Sequence, residues 1–124
     1  MKTSELTGIA LDWAVAKCEG ATNLHYDTVA TWWVTLNSQD RALSKGWSSA
    51  QNYHPSSNWE QGGRIIEREG IAIQRWLETG WIADRWNFRF VSGHSNGPTP
   101  LIAAMRCLCR AKLGDEIDIP KGLL

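Results

Sequence analysis

One segment constrains the fold more than any other. Residues 99–114 hold a helix together with its start and stop signals. Thr99 is a good N-cap, Pro100 suits the first helical position, and Gly114 ends the run. Leu101, Ala104, Met105, Leu108 and Ala111 recur at helical spacing and define a core face. Ala103, Arg106 and Arg110 form a small-and-basic stripe beside it. A helix patterned this way must bury its apolar stripe against a second layer.

The other segments supply that layer. A first helix is predicted over residues 4–19, capped by Thr3 or Ser4 and closed by Gly20. Glu5, Asp12 and Glu19 fall on one acidic ridge of it, and Lys17 sits in its apolar sector. The ridge and the Arg106/Arg110 stripe are charge partners in this reading. Residues 21–27 read as a connector, and residues 29–36, β-branched and aromatic, as the best strand. Residues 37–58 read as a long polar loop with a short helix near residues 40–43; it contains Lys45-Gly46-Trp47. Residues 59–64 read as a turn and 65–69 as a helical turn or part of a strand. Residues 71–76 read as a strand. Residues 81–90 read as one or two more, because Trp86, Phe88 and Phe90 alternate with Asn87 and Arg89. Residues 92–98 read as a Gly-rich loop and residues 115–120 as an extended tail. The class predicted is α+β: a small antiparallel sheet of three or four strands with N-terminal and C-terminal helices packed on one face. Residues 1–124 form a single domain in this reading.

Composition removes several functions. Lys+Arg and Asp+Glu both total 13, so a general electrostatic grip on nucleic acid is not expected. No apolar run has the length of a membrane span and no signal peptide is visible, which points to the cytoplasm. Cys18, Cys107 and Cys109 lack disulfide or zinc spacing and read as small buried hydrophobes, so no metal and no cofactor are expected. The chain has no nucleophile elbow, zincin helix or Walker loop, and His94 beside Ser95 is adjacency only. The expectation is a protein that is not an enzyme.

Eight Trp in 124 residues exceed what a core of this size needs. Trp59, Arg64, Arg68, Arg75, Trp76, Trp81, Arg85, Trp86 and Arg89 interleave rings with guanidinium groups. Trp faces stack on bases, and Arg forks bind phosphate. The helix start beside residues 95–99 is a natural anion site. The expected ligand site is therefore Trp59, Trp76 and Trp86 as walls, and Arg64, Arg68 and Arg85 as charge. Ser95, Asn96 and Thr99 serve at the helix start, and Glu67 orients an arginine or accepts from a base or ribose. The competing reading of the same residues is Arg stacked on Trp within the fold and Arg64–Glu67 and Arg68–Glu69 surface pairs. Surplus Trp also predicts a homo-oligomer.

Four blocks of the chain resemble the phage NinX family. They are Met1-Lys2-Thr3-Ser4-Glu5-Leu6-Thr7 with Leu11-Asp12-Trp13-Ala14-Val15-Ala16-Lys17; Trp59-Glu60-Gln61-Gly62-Gly63 with Ile65-Ile66-Glu67-Arg68-Glu69; Gly97-Pro98-Thr99-Pro100-Leu101-Ile102-Ala103-Ala104-Met105-Arg106; and Lys112-Leu113-Gly114-Asp115-Glu116. Arg64 stands where the family pattern leads one to expect Pro. The resemblance implies an accessory protein of a tailed phage or prophage, made in the bacterial host cytoplasm. It implies no chemistry. The expected function is binding of a small anionic, nucleotide-like ligand, with sequestration of a host immune signal as one use. The alternative is a protein–protein adaptor or inhibitor acting on a host or phage protein, with Trp32, Trp33 and Trp47 as anchors.

Overall fold

The computed structural model describes residues 1–27, 31–43 and 51–123. A 3-10 turn, Thr3–Glu5, precedes helix α1, Gly8–Cys18. Three strands follow: β1, Thr22–Tyr26; β2, Trp32–Leu36; and β3, Gln39–Ala42. Helix α2, Trp59–Glu69, leads into β4, Ile71–Trp76; β5, Gly80–Asn87; and β6, Phe90–Gly97. Helix α3, Pro100–Leu113, comes last. The class is α+β, and every strand pair is antiparallel. Among the described residues the six strands divide into two three-stranded sheets, ordered β1-β2-β3 and β4-β5-β6.

Helix α3 follows its local signals. The Thr99 hydroxyl accepts from the Ile102 amide at 3.1 Å, and Gly114 closes the helix at φ 90°. Its contact with the second sheet depends on glycine. A Cβ on Gly93 would overlap the Cys107 carbonyl oxygen, and one on Gly97 would lie 2.7 Å from the Ala103 amide nitrogen. Residues 92–98, expected as a loop, are thus mostly strand β6: their glycines let a helix backbone approach rather than let the chain turn.

Glycine misleads in the same way at residues 59–64, expected as a turn. Asn58 caps α2 by accepting from the Gln61 amide at 3.1 Å, and the helix runs through Gly62 and Gly63 to Gly70 at φ 67°. A Cβ on Gly62 would overlap the Pro55 carbonyl oxygen, so this glycine seats α2 on the preceding segment.

The first sheet also departs from expectation. The connector at residues 21–27 contains β1. Residues 40–43, expected as a short helix, lie mainly in β3, because Asn37 and Ser38 make a two-residue turn with positive φ at both positions. Gly8 at φ 55° separates the 3-10 turn from α1, so the predicted first helix starts late. Val29, at the start of the predicted strand, and Lys45-Gly46-Trp47 lie outside the described residues.

One apolar core joins the layers, with Leu11 and Val15 of α1, Val34 of β2, Ile65 of α2, Ile71 of β4 and Met105 and Leu108 of α3 among its members. Among the described residues no ion pair joins the expected α1 ridge to the α3 arginines, although the Glu5 charge acts on Arg106. Asp12 is buried and accepts from the Ser56 amide at 3.0 Å. Arg106 donates to the carbonyls of Leu6 and Asn96, and Arg110 pairs with Asp115 at 2.8 Å. Glu19 instead meets Arg68. Lys17 reaches solvent over the Trp13 ring, 5.4 Å from its centroid.

Candidate functional site

A cavity of ≈580 Å³ opens between α2 and the β2–β3 hairpin. Positions four apart on a helix share a face, so Glu60, Arg64 and Arg68 form one wall. Arg41 enters from β3, and Tyr53 from the segment that runs beside β3 through the Ala42–Asn52 bridge. Gln61 pins that segment: its side-chain amide donates to the Asn52 carbonyl at 3.0 Å, and its oxygen accepts from the His54 amide at 2.7 Å. Leu36 and Ile65 give the cavity apolar surface.

Two polar atoms in the residues lining this cavity have no hydrogen-bond partner among the described residues: the Tyr53 hydroxyl and the Arg41 Nε. Tyr53 is only 4% exposed. Burial, reinforced by the Glu19 and Asp12 carboxylates, pushes its phenol pKa above the ordinary value, so the hydroxyl keeps its proton and can donate. The Arg41 guanidinium stands over the Tyr53 ring, 5.4 Å from its centroid, and donates through Nη2 to the Asn52 carbonyl at 2.7 Å.

The two helix arginines differ in availability. Arg68 is engaged: it donates to both oxygens of Glu19, at 2.7 and 2.6 Å, and through Nε to Glu69 at 2.9 Å. The hydrogen bonds to Glu19 hold its guanidinium protonated still more firmly than usual. Arg64 has a side chain 78% exposed and only a 3.4 Å contact to Glu60. Such a contact contributes little in water, which leaves Arg64 free to meet an anion.

Beside the cavity lies a carboxylate hub. Glu69 accepts from Arg68, from Arg85 at 3.0 Å and from Lys112 at 3.2 Å. Burial opposes its ionisation, yet the hydrogen bonds from Arg68, Lys112 and Arg85 hold its carboxyl down to about 2. The hub ties α2, β5 and α3 together, and Arg85 is consumed in it.

The residues expected to form one site are divided among several places. Arg64 and Arg68 line the large cavity. Trp59 and Thr99 meet in a smaller one of ≈260 Å³ at the start of α3, with Ser56 and Ser57, where the Thr99 hydroxyl is spent on the helix cap. Glu67 is exposed on α2 and lines neither cavity. Trp76 and Trp86 are exposed on the second sheet. Ser95 is buried and its hydroxyl donates to the Gly93 carbonyl at 2.9 Å, while Asn96 is exposed and its carbonyl accepts from Arg106. Of the expected surface pairs, Arg68–Glu69 forms, and Arg64 turns to Glu60 instead of Glu67.

Sequence reasoning missed Arg41, Tyr53, Asn58 and Gln61. The available signal was weak: a buried-type aromatic in a polar stretch, two residues before Pro55. No acid–base or metal arrangement competes with this cavity among the described residues. No group of three or more His, Cys, Asp or Glu is placed to hold a metal ion. His94 bonds Asp84 at 2.7 Å, away from Ser95's partner. Cys18, Cys107 and Cys109 are free thiols; burial pushes Cys107 up to about 12, and Cys109 shares a hydrogen bond with Cys18 that raises its own pKa and lowers that of Cys18. No described helix is long and apolar enough to cross a membrane.

The family model described as Bacteriophage P22, NinX matches residues 2–112. No curated protein matches the chain.

Proposed function

The chain belongs to the bacteriophage P22 NinX family, and on that premise we propose that it is a non-enzymatic phage accessory protein. It binds a small anionic, nucleotide-like ligand in the cavity between α2 and the β2–β3 hairpin. The observation that carries this reading is a pair of buried donors without a partner among the described residues, the Tyr53 hydroxyl and the Arg41 Nε. A buried donor without an acceptor costs about 1–3 kcal/mol. An acceptor-rich ligand that reaches these atoms recovers that cost. Arg64 adds a planar guanidinium suited to phosphate. The cavity volume, ≈580 Å³, falls in the usual range of small-ligand sites, about 300–1,000 Å³. The site of action is the bacterial host cytoplasm, where such binding would sequester a host nucleotide signal.

The test is isothermal titration of the full chain with mononucleotides, cyclic dinucleotides and inorganic phosphate. Saturable binding of a nucleotide that Arg64→Ala abolishes supports the reading. Silence across the panel rejects it.

A second reading, an adaptor or inhibitor acting on a host or phage protein, is favoured by exposed aromatics. Of the anchors expected from sequence, Trp47 lies outside the described residues. Trp32 packs on Tyr26 with ring centroids 5.0 Å apart, and the Trp33 indole donates to Asp27 at 2.7 Å. The exposed rings lie on the second sheet.

A further inference from the structure

The β4-β5-β6 sheet has two unlike faces. Alternate side chains on a strand point to opposite faces. Ala83, fully buried, and its register partner Ile73 face α3. Trp76, Ile82, Asp84 and Trp86 therefore face the other way, together with Val91, which pairs with Trp86. Among the described residues no element packs over that outer face. Trp76 is 47% exposed, Trp86 51% and Val91 46%.

The turns at its two ends are as unusual. In the β4–β5 turn Leu77 adopts φ 58° and is 78% exposed; in the β5–β6 turn Phe88 adopts φ 56° and is 96% exposed, next to Phe90 at 76%. Left-handed backbone favours Gly or Asn, and a bulky apolar residue there is uncommon. Among the described residues neither side chain gains packing that would offset this. The apolar character of both turns thus has no account among the described residues.

We propose that this outer face and its two turns form the interface with a second copy of this chain, the sheets stacked face to face with their strands reversed. Charge argues for this partner. Glu78 lies in the turn at one end of β5 and Arg89 in the turn at the other, and neither side chain has an ion pair among the described residues. A two-fold axis lying between the sheets and across the strands brings the Trp76–Leu77–Glu78 end of each copy onto the Trp86–Phe88–Arg89 end of the other. Each apolar end then meets an apolar end, and each Arg89 meets a Glu78. Residue i contacts j and j contacts i, as an isologous dimer requires.

Area argues the same way. β5 spans eight residues, about 25 Å at the usual strand rise. The exposed surface of Trp76, Leu77, Trp86, Phe88 and Val91 is on the order of 700 Å² by ordinary ring sizes, within the range that each partner of a stable complex buries. Of the polar residues on this face, Asp84 is already hydrogen-bonded to His94 Nδ1 at 2.7 Å, while Gln74 and Asn96 sit at the register positions flanking Ile82.

The test is sedimentation equilibrium of the full chain. The expected result is twice the 13.9 kDa chain mass. Trp86→Ser combined with Phe88→Asn is expected to give the single-chain mass with an unchanged far-ultraviolet circular dichroism spectrum, since Asn suits the left-handed turn. Glu78→Arg and Arg89→Glu are each expected to weaken the dimer roughly tenfold, and the two together to restore it. A wild-type protein of single-chain mass overturns the proposal, whatever protein, lipid or nucleic acid then covers the face. So does a Trp86/Phe88 variant that stays at twice the mass. Charge reversals that add instead of compensating overturn the reversed arrangement. Failure of nucleotide binding leaves these outcomes unaffected, because the cavity lies elsewhere on the molecule.

Discussion

Arg68 on α2 holds Glu19 at the end of α1 by two parallel N–H···O bonds, 2.7 and 2.6 Å long, across 49 positions of sequence. Bidentate pairs of this kind gain strength from geometry as well as charge. The Arg68 side chain is 49% exposed, so solvent screens much of that gain. Arg68→Ala is expected to lower stability by about 1 kcal/mol. The loss should shrink as salt is added, and urea titrations at low and high ionic strength measure both effects.

Glu69 is expected to contribute to the acid sensitivity of the fold. Its carboxyl ionises near 2 in the folded chain, against an ordinary value of 4.5. A carboxyl with a depressed folded-state pKa stabilises above its unfolded value and loses that contribution as pH falls through the folded one. The urea midpoint should therefore fall between pH 4.5 and about 2. Glu69→Gln should be less stable at neutral pH and show a flatter decline over the same window. A variant with the wild-type slope would mean that other carboxyls carry the acid transition.

The neighbouring glycines of α2 should respond oppositely to alanine. Gly62 has no room for a Cβ between the Pro55 carbonyl and the Leu101 side chain, whereas a Cβ on Gly63 meets nothing within 4 Å. Gly62→Ala should destabilise by roughly 1–3 kcal/mol, the range for overpacking. Gly63→Ala should stabilise by roughly 0.5–1 kcal/mol through helix propensity. Thermal melts of the two variants decide the matter, and equal shifts would contradict the seating of α2 on residue 55.

Tyr53→Phe separates stability from binding. The hydroxyl is buried without a partner among the described residues. Removing it should leave the unliganded chain as stable as before, or more stable by about 1 kcal/mol. The same change should weaken nucleotide binding in titration calorimetry. A marked loss of stability without ligand would show that the hydroxyl already serves the fold.

Much of the architecture was legible from local signals. Thr99, Pro100 and Gly114 mark both ends of α3 through backbone requirements that no neighbour has to supply. The alternation of Trp86, Phe88 and Phe90 showed strand character around β5 and β6, but Phe88 and Arg89 form the turn between these strands, which a period of two does not reveal. Gly62, Gly93 and Gly97 were misread because a glycine that turns the chain and a glycine that admits another backbone look alike in one dimension. The candidate site was legible only in part. Arg64 and Arg68 stood out by residue type, but Arg41 and Tyr53 did not.

Residue order sufficed for the limits of α3, the α+β class and the excess of aromatic residues, since propensity, capping and periodicity act over a few neighbouring positions. Which arginines are consumed by Glu69 and Glu19, which glycines admit a helix, and which side chains meet at the cavity depended on packing between distant segments. Those contacts carry no local signature, because a side chain's partner is set by where the chain returns in space.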